Sequence, residues 1–177
     1  MPSNGATNEA ILRANIEWHI QLIAIQVRHA EKVKGRARSG YYKLATLLIA
    51  SIVEAIVHAL LVRKLGIDGV ISTGDYETYE CSPLPKKFCP QDDLVICKRR
   101  KEEIKLRKNP DFAILNHTCL KEQLFSKSFL NKVESVRKIR NKIHIQGLGH
   151  IDRSYTKNSV EKLSEVMNNL LNLYYRT

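Results

Sequence analysis

A chain of 177 residues has the size of one domain with one real core, and 44% hydrophobic residues argue against wholesale disorder. Its 29 Lys+Arg against 18 Asp+Glu leave a formal charge of +11, which points to a polyanionic partner (RNA, DNA or an anionic surface) or simply to solubility. The opening MPSNGATNEAIL lacks a basic region followed by an apolar run, so the expectation is an intracellular, cytoplasmic chain with reduced thiols rather than a secreted one.

Residues 8–33 carry Ile11, Ala14, Trp18, Leu22, Ile25 and Val27 close to helical period, which predicts a first helix with that apolar stripe. KGRARSG, 34–40, breaks it with two glycines and a basic cluster. Ser39 is the candidate cap of a second helix, from about 41 to 65, stopped by Gly66. This helix is apolar almost all round and is expected at the centre of the core. Its stretch 44–62 is also long enough to cross a bilayer, but Glu54 and His58 sit in the middle, where ionisable groups are expensive in lipid. A buried helix explains the same letters, so no membrane partner is expected.

Residues 67–116 hold four of the five prolines and three of the four cysteines. Within them, DLVICKRRKEEIKLRK predicts two short strands, near 93–98 and 103–107, joined by a charged turn as an inserted arm. Cys81, Cys89 and Cys97 are spaced by eight residues, unlike the tight pairs of structural zinc sites. His117 and Cys119 lie close enough to join such a site, but free structural thiols are the plainer reading and no metal or cofactor is expected. Helical pattern resumes near Thr118. Ser128 is the candidate cap for 129–146, which QGLGH then ends. The last helix starts near Asn158, with Glu161 as its capping-box partner, and buries Val160, Leu163, Met167, Leu170, Leu171 and Tyr174. The fold class is therefore all-α: one domain over 1–177, four main helices in a bundle, with an insertion at about 67–116 between the second and third.

On the third long helix, Phe129, Val133, Val136 and Ile143 form a stripe in which the position between the last two is Arg140. Arg137, Arg140 and His144 follow at steps of three and four and project within about 60° of one another. On the second helix Ser51, Glu54 and His58 likewise share one face inside an apolar element. Burying Glu54 unpaired would cost several kcal/mol, and Arg140 is the obvious partner. Arg140 and Glu54 thus read either as a buried, fold-specifying ion pair or as part of a site. Tyr41, Tyr42 and Phe88 can stack on bases, although core packing is the plainer reading of each.

The order of elements, the helix SIVEAIVHAL with its serine and glutamate, and IRNKIHIQGL late in the chain resemble the HEPN superfamily. The resemblance covers the helical frame, roughly 8–66 and 118–175. HEPN proteins are small helical bundles, many of them metal-independent endoribonucleases in toxin, phage-defence and RNA-processing systems. The family signature is an arginine, often followed by a polar residue, then four to six residues and a histidine. Arg140-Asn141 matches the arginine and polar residue, with three residues before His144. Arg137 stands at a spacing of six, followed by Lys138.

The resemblance implies RNA cleavage through the ribose 2′-hydroxyl, leaving a cyclic phosphate. His144 would serve as base or acid, Arg140 and Arg137 would hold the phosphate, Asn141 would orient it, and Glu54 would fix an arginine. It also implies a homodimer in which two motif helices face one another, with an antitoxin or larger defence complex as a further partner. KGRARSG and KRRKEEIKLRK would extend the RNA path. Two other readings stay open: a catalytically inactive HEPN-like bundle that binds RNA or a protein partner, and an unrelated helical adaptor or DNA-associated protein.

Overall fold

A computed structural model describes residues 4–72, 78–83, 95–100, 103–143 and 155–176. Helices dominate: α1 (Asn4–Lys32), α2 (Gly35–Leu65), α3 (Phe112–Lys121), α4 (Lys127–Ile143) and α5 (Lys157–Arg176). The protein is all-α in its body, and α2 is its axis. It runs back along α1 and also packs against α3, α4 and α5. Eleven α2 residues are buried, among them Ile49, Val53, Ile56, Val57 and Leu61. α2 is long and apolar enough to cross a bilayer by length and composition. In this fold the other helices cover those same side chains.

The break between α1 and α2 is shorter than the sequence suggests. Only residues 33–34 leave the helix, and the turn needs Gly35 in left-handed backbone at φ +62°. Arg36, Ala37 and Arg38 then continue as helix, as their propensities allow. Arg38 Nε donates to the carbonyls of Ala30 (3.2 Å) and Val33 (2.9 Å), so the basic cluster satisfies the open end of α1. Ser39 is consequently no cap. Its hydroxyl lies inside α2 and accepts the Tyr155 N–H at 2.8 Å, tying α2 to the start of α5. Gly66 ends α2 as expected, at φ +80° with its N–H on the Val62 carbonyl at 2.8 Å.

The arm also differs from expectation. Strands form near the two predicted places, but not with each other. β1 (Val70–Ser72) pairs antiparallel with β4 (Glu103–Lys105), and β2 (Thr78–Pro83) with β3 (Val95–Arg100). The β2–β3 ladder is nested in sequence inside β1–β4, with Cys81 at the register position opposite Cys97. The arm ends sooner too, at a 3-10 turn (Leu106–Lys108), and α3 already begins at Phe112.

Two other caps shift by two residues. Ser126 Oγ accepts the Phe129 N–H at 3.3 Å, so Ser126 rather than Ser128 caps α4. Thr156 Oγ1 accepts the Ser159 N–H at 3.3 Å, replacing the Asn158–Glu161 box on α5. α5 buries every residue expected of it, and Val166 besides. α1 turns a different face inward. Ile16, Ile23 and Ala30 are buried with Leu12 and Val27 beside them, whereas Ile11 and Trp18 are more than half exposed.

Candidate active site

Of the interrupted stripe of α4, Val133, Val136 and Ile143 are buried and Phe129 is half-buried against the core, and Leu130, outside the stripe, is buried as well. Arg140 takes the edge of that stripe. Its Nη2 lies 3.3 Å from Glu54 Oε2 on α2, which is the pairing the two interrupted helices imply. The pair is half-buried rather than buried, at 33% and 27% side-chain exposure, so solvent screens it and it is no deeply desolvated charge pair. Asn141 follows Arg140 on the exposed side of α4. His144 lies outside the described residues.

Arg137 goes elsewhere. Its Nε donates to both oxygens of Glu134, one turn back on α4, at 2.9 and 3.0 Å. Glu134 in turn accepts the Asn116 side-chain N–H of α3 at 2.9 Å. The structure therefore joins Arg140 to Glu54 and joins Arg137 to a second cluster that clamps α3 on α4. The Glu134 half of this clamp was legible as an acid three residues before an arginine. Asn116 was not, because it stands where the sequence reads as insertion.

The Arg137 guanidinium, with help from Asn116, holds the Glu134 carboxyl below the usual carboxylate range, against a smaller opposing effect of burial. A carboxyl held low in the fold contributes stability that is present above its unfolded value and lost as pH falls through its folded one. Thermal melts should therefore separate wild type from Glu134→Gln at neutral pH. The gap should narrow below about pH 4, where even ordinary carboxylates take up protons. A gap that stays constant with pH would assign the effect to packing alone.

Glu54 lines a groove of about 370 Å³ with Leu12, Ser51, His58, Asn109 and Pro110. Ser51 and His58 are the other polar members of the α2 face. The His58 Nε2 is 2.9 Å from the Leu106 carbonyl at the base of the arm. Asn109, at φ +48°, is one of two non-glycine residues in left-handed backbone among those described. The groove thus gathers a hydroxyl, a carboxylate, an imidazole and an amide, with a guanidinium one contact away.

Tyr42 is buried, and Tyr41 packs edge-on against His29 with ring centroids 5.4 Å apart, so both serve packing. Phe88 lies outside the described residues. Cys119 is fully buried, and burial pushes its thiol up to about 12, with Lys64 pulling weakly the other way. Among the described residues no group of three His, Cys, Asp or Glu is placed to hold a metal ion. Compared with family models, curated proteins and solved structures, the chain matches none.

Proposed function

We propose that the chain is a metal-independent endoribonuclease of the HEPN type, its helices forming that family's four-helix bundle and α4 carrying the motif. The observation that carries this reading is the Arg140–Glu54 pair, which holds a guanidinium at the edge of a polar groove instead of on the solvated face of α4. Arg140 and Asn141 would hold the scissile phosphate, Arg137 would add positive field, His144 would move a proton, and Glu54 would keep Arg140 in place. Exposed Lys34, Arg36 and Arg38 at the α1–α2 turn, and Arg107 and Lys108 at the base of the arm, would draw in RNA. The setting in this reading is a cytoplasmic toxin or phage-defence system, held in check by an antitoxin or a larger complex. Pure protein incubated with total RNA in EDTA, beside a His144→Ala control, tests it. Cleavage by the first and not the second is the expected result, and intact RNA in both removes the reading.

The working form is a two-fold homodimer. On α2, Leu44 is an apolar side chain 48% exposed, two turns before Ser51 and the groove. Contact between two copies there would set their grooves side by side. Sedimentation at micromolar concentration should give a dimer for wild type and a monomer for Leu44→Asp. A wild-type monomer removes this part of the proposal.

A second reading, an inactive bundle that binds RNA or a protein partner, draws on Arg137. Its guanidinium holds α4 to α3 through Glu134 and Asn116, a structural task. Binding of RNA without cleavage in the same assay selects this reading.

A further inference from the structure

We infer that His58, on α2, is a second catalytic histidine and takes the proton from the attacking ribose hydroxyl. The inference rests on the ribonuclease reading. A carbonyl oxygen only accepts hydrogen bonds, so contact with the Leu106 oxygen at 2.9 Å places the proton of the neutral ring on Nε2. That oxygen also accepts the Asn109 N–H at 3.1 Å and belongs to a fully buried residue, so the ring is held against a fixed point. Nδ1 is then left with its lone pair and, among the described residues, with no bonding partner. An oriented imidazole whose second nitrogen can accept a proton is the arrangement a general base requires.

The surroundings favour chemistry over simple tethering. His58 lines the same groove as Glu54 and Ser51, and Glu54 carries Arg140. Asn109, also in that wall, caps the 3-10 turn in left-handed backbone and fixes the Leu106 carbonyl from the other side. A tether to the Leu106 carbonyl needs only a donor. Transfer of a ribose proton needs a lone pair in addition, and His58 carries one in a groove lined also by Ser51 and Glu54.

The step balances as a transesterification. The 2′-oxygen bonds to phosphorus as its proton passes to His58 Nδ1. The bond from phosphorus to the 5′-oxygen breaks, and that oxygen takes a proton from solvent. A 2′,3′-cyclic phosphate and a 5′-hydroxyl result, and the His58 ring returns its proton to solvent. Arg140 offsets charge on the phosphoryl oxygens throughout.

Cleavage of a fluorophore-labelled single-stranded RNA of mixed sequence, in EDTA, separates the roles of His58. In His58→Gln the side-chain amide keeps a donor for the Leu106 carbonyl but cannot take a proton. Its cleavage rate should fall by roughly 100-fold or more, while its thermal melt and its RNA affinity by anisotropy stay at wild-type values. In His58→Ala, imidazole added to the buffer should restore part of the lost rate. Wild-type cleavage by His58→Gln overturns the inference and leaves the ribonuclease reading standing. Loss of activity in His58→Ala with an early melt and no rescue by imidazole overturns it too, since His58 is then only a tie to the arm. RNA left intact by the wild-type protein overturns both.

Discussion

Arg140→Ala and His144→Ala are each expected to lower RNA cleavage in EDTA by roughly 100- to 10,000-fold. The two losses have different causes. Without His144 the reaction lacks one proton-transfer group, while Arg140 and its partner are untouched. Without Arg140 the phosphate loses its cationic clamp, and Glu54 is left half-buried with no opposing charge, at a cost of about 1 kcal/mol or less because solvent screens it. Arg140→Lys separates these effects. A lysine can still answer Glu54, so the melt should stay near wild type, but it lacks the planar fork that grips a phosphate at two points, so cleavage should remain poor. RNA affinity in the histidine variant should change little, and its salt dependence should stay steep, because most binding would come from the other cations of a chain with formal charge +11. Activity abolished by EDTA and restored by magnesium would remove this mechanism. Unchanged activity in both variants would place the cleaving groups elsewhere.

The Arg140–Glu54 contact was legible in the sequence for a physical reason. Each charge interrupts an apolar stripe, and a charge facing a core must find a partner, which an opposite charge that also interrupts a stripe supplies. The order of the four long helices was legible by the same periodicity, whereas α3 begins inside the stretch read as insertion. What was not legible depended on partners far away in the chain. The letters at 95–100 and 103–105 mark strands, but pairing with 78–83 and 70–72 is decided by register across the arm, which β propensity does not encode. Ser39 has the right chemistry for a cap and the right place for a bridge to Tyr155, and tertiary structure chose the bridge. His58 was visible as a polar residue on an apolar helix. Its orientation was not, because the Leu106 carbonyl that fixes it is 48 residues away.

Ile16→Ala should destabilise the fold by about 2–5 kcal/mol, and Trp18→Ala by no more than about 0.5 kcal/mol, in urea unfolding. The sequence alone would reverse that order. Its helical reading of α1 selects Ile11, Ala14, Trp18, Leu22, Ile25 and Val27, and a buried tryptophan truncated to alanine typically costs about 3–5 kcal/mol. Of these only Val27 sides with a second apolar set, Leu12, Ile16, Ile23 and Ala30, turned roughly 130° from the other five. It is this second set that meets the core. Ile16 is 2% exposed and Trp18 is 56% exposed. Periodicity cannot rank two stripes on one helix, since both satisfy it, and the larger residue is the more misleading guide. A measurement without any mutation checks the assignment, because Trp18 is the chain's one tryptophan. Its native emission should sit close to that of the urea-unfolded protein and be quenched freely by iodide. A native spectrum shifted far to the blue in a protein that sediments as a monomer would return Trp18 to the core and turn α1 over.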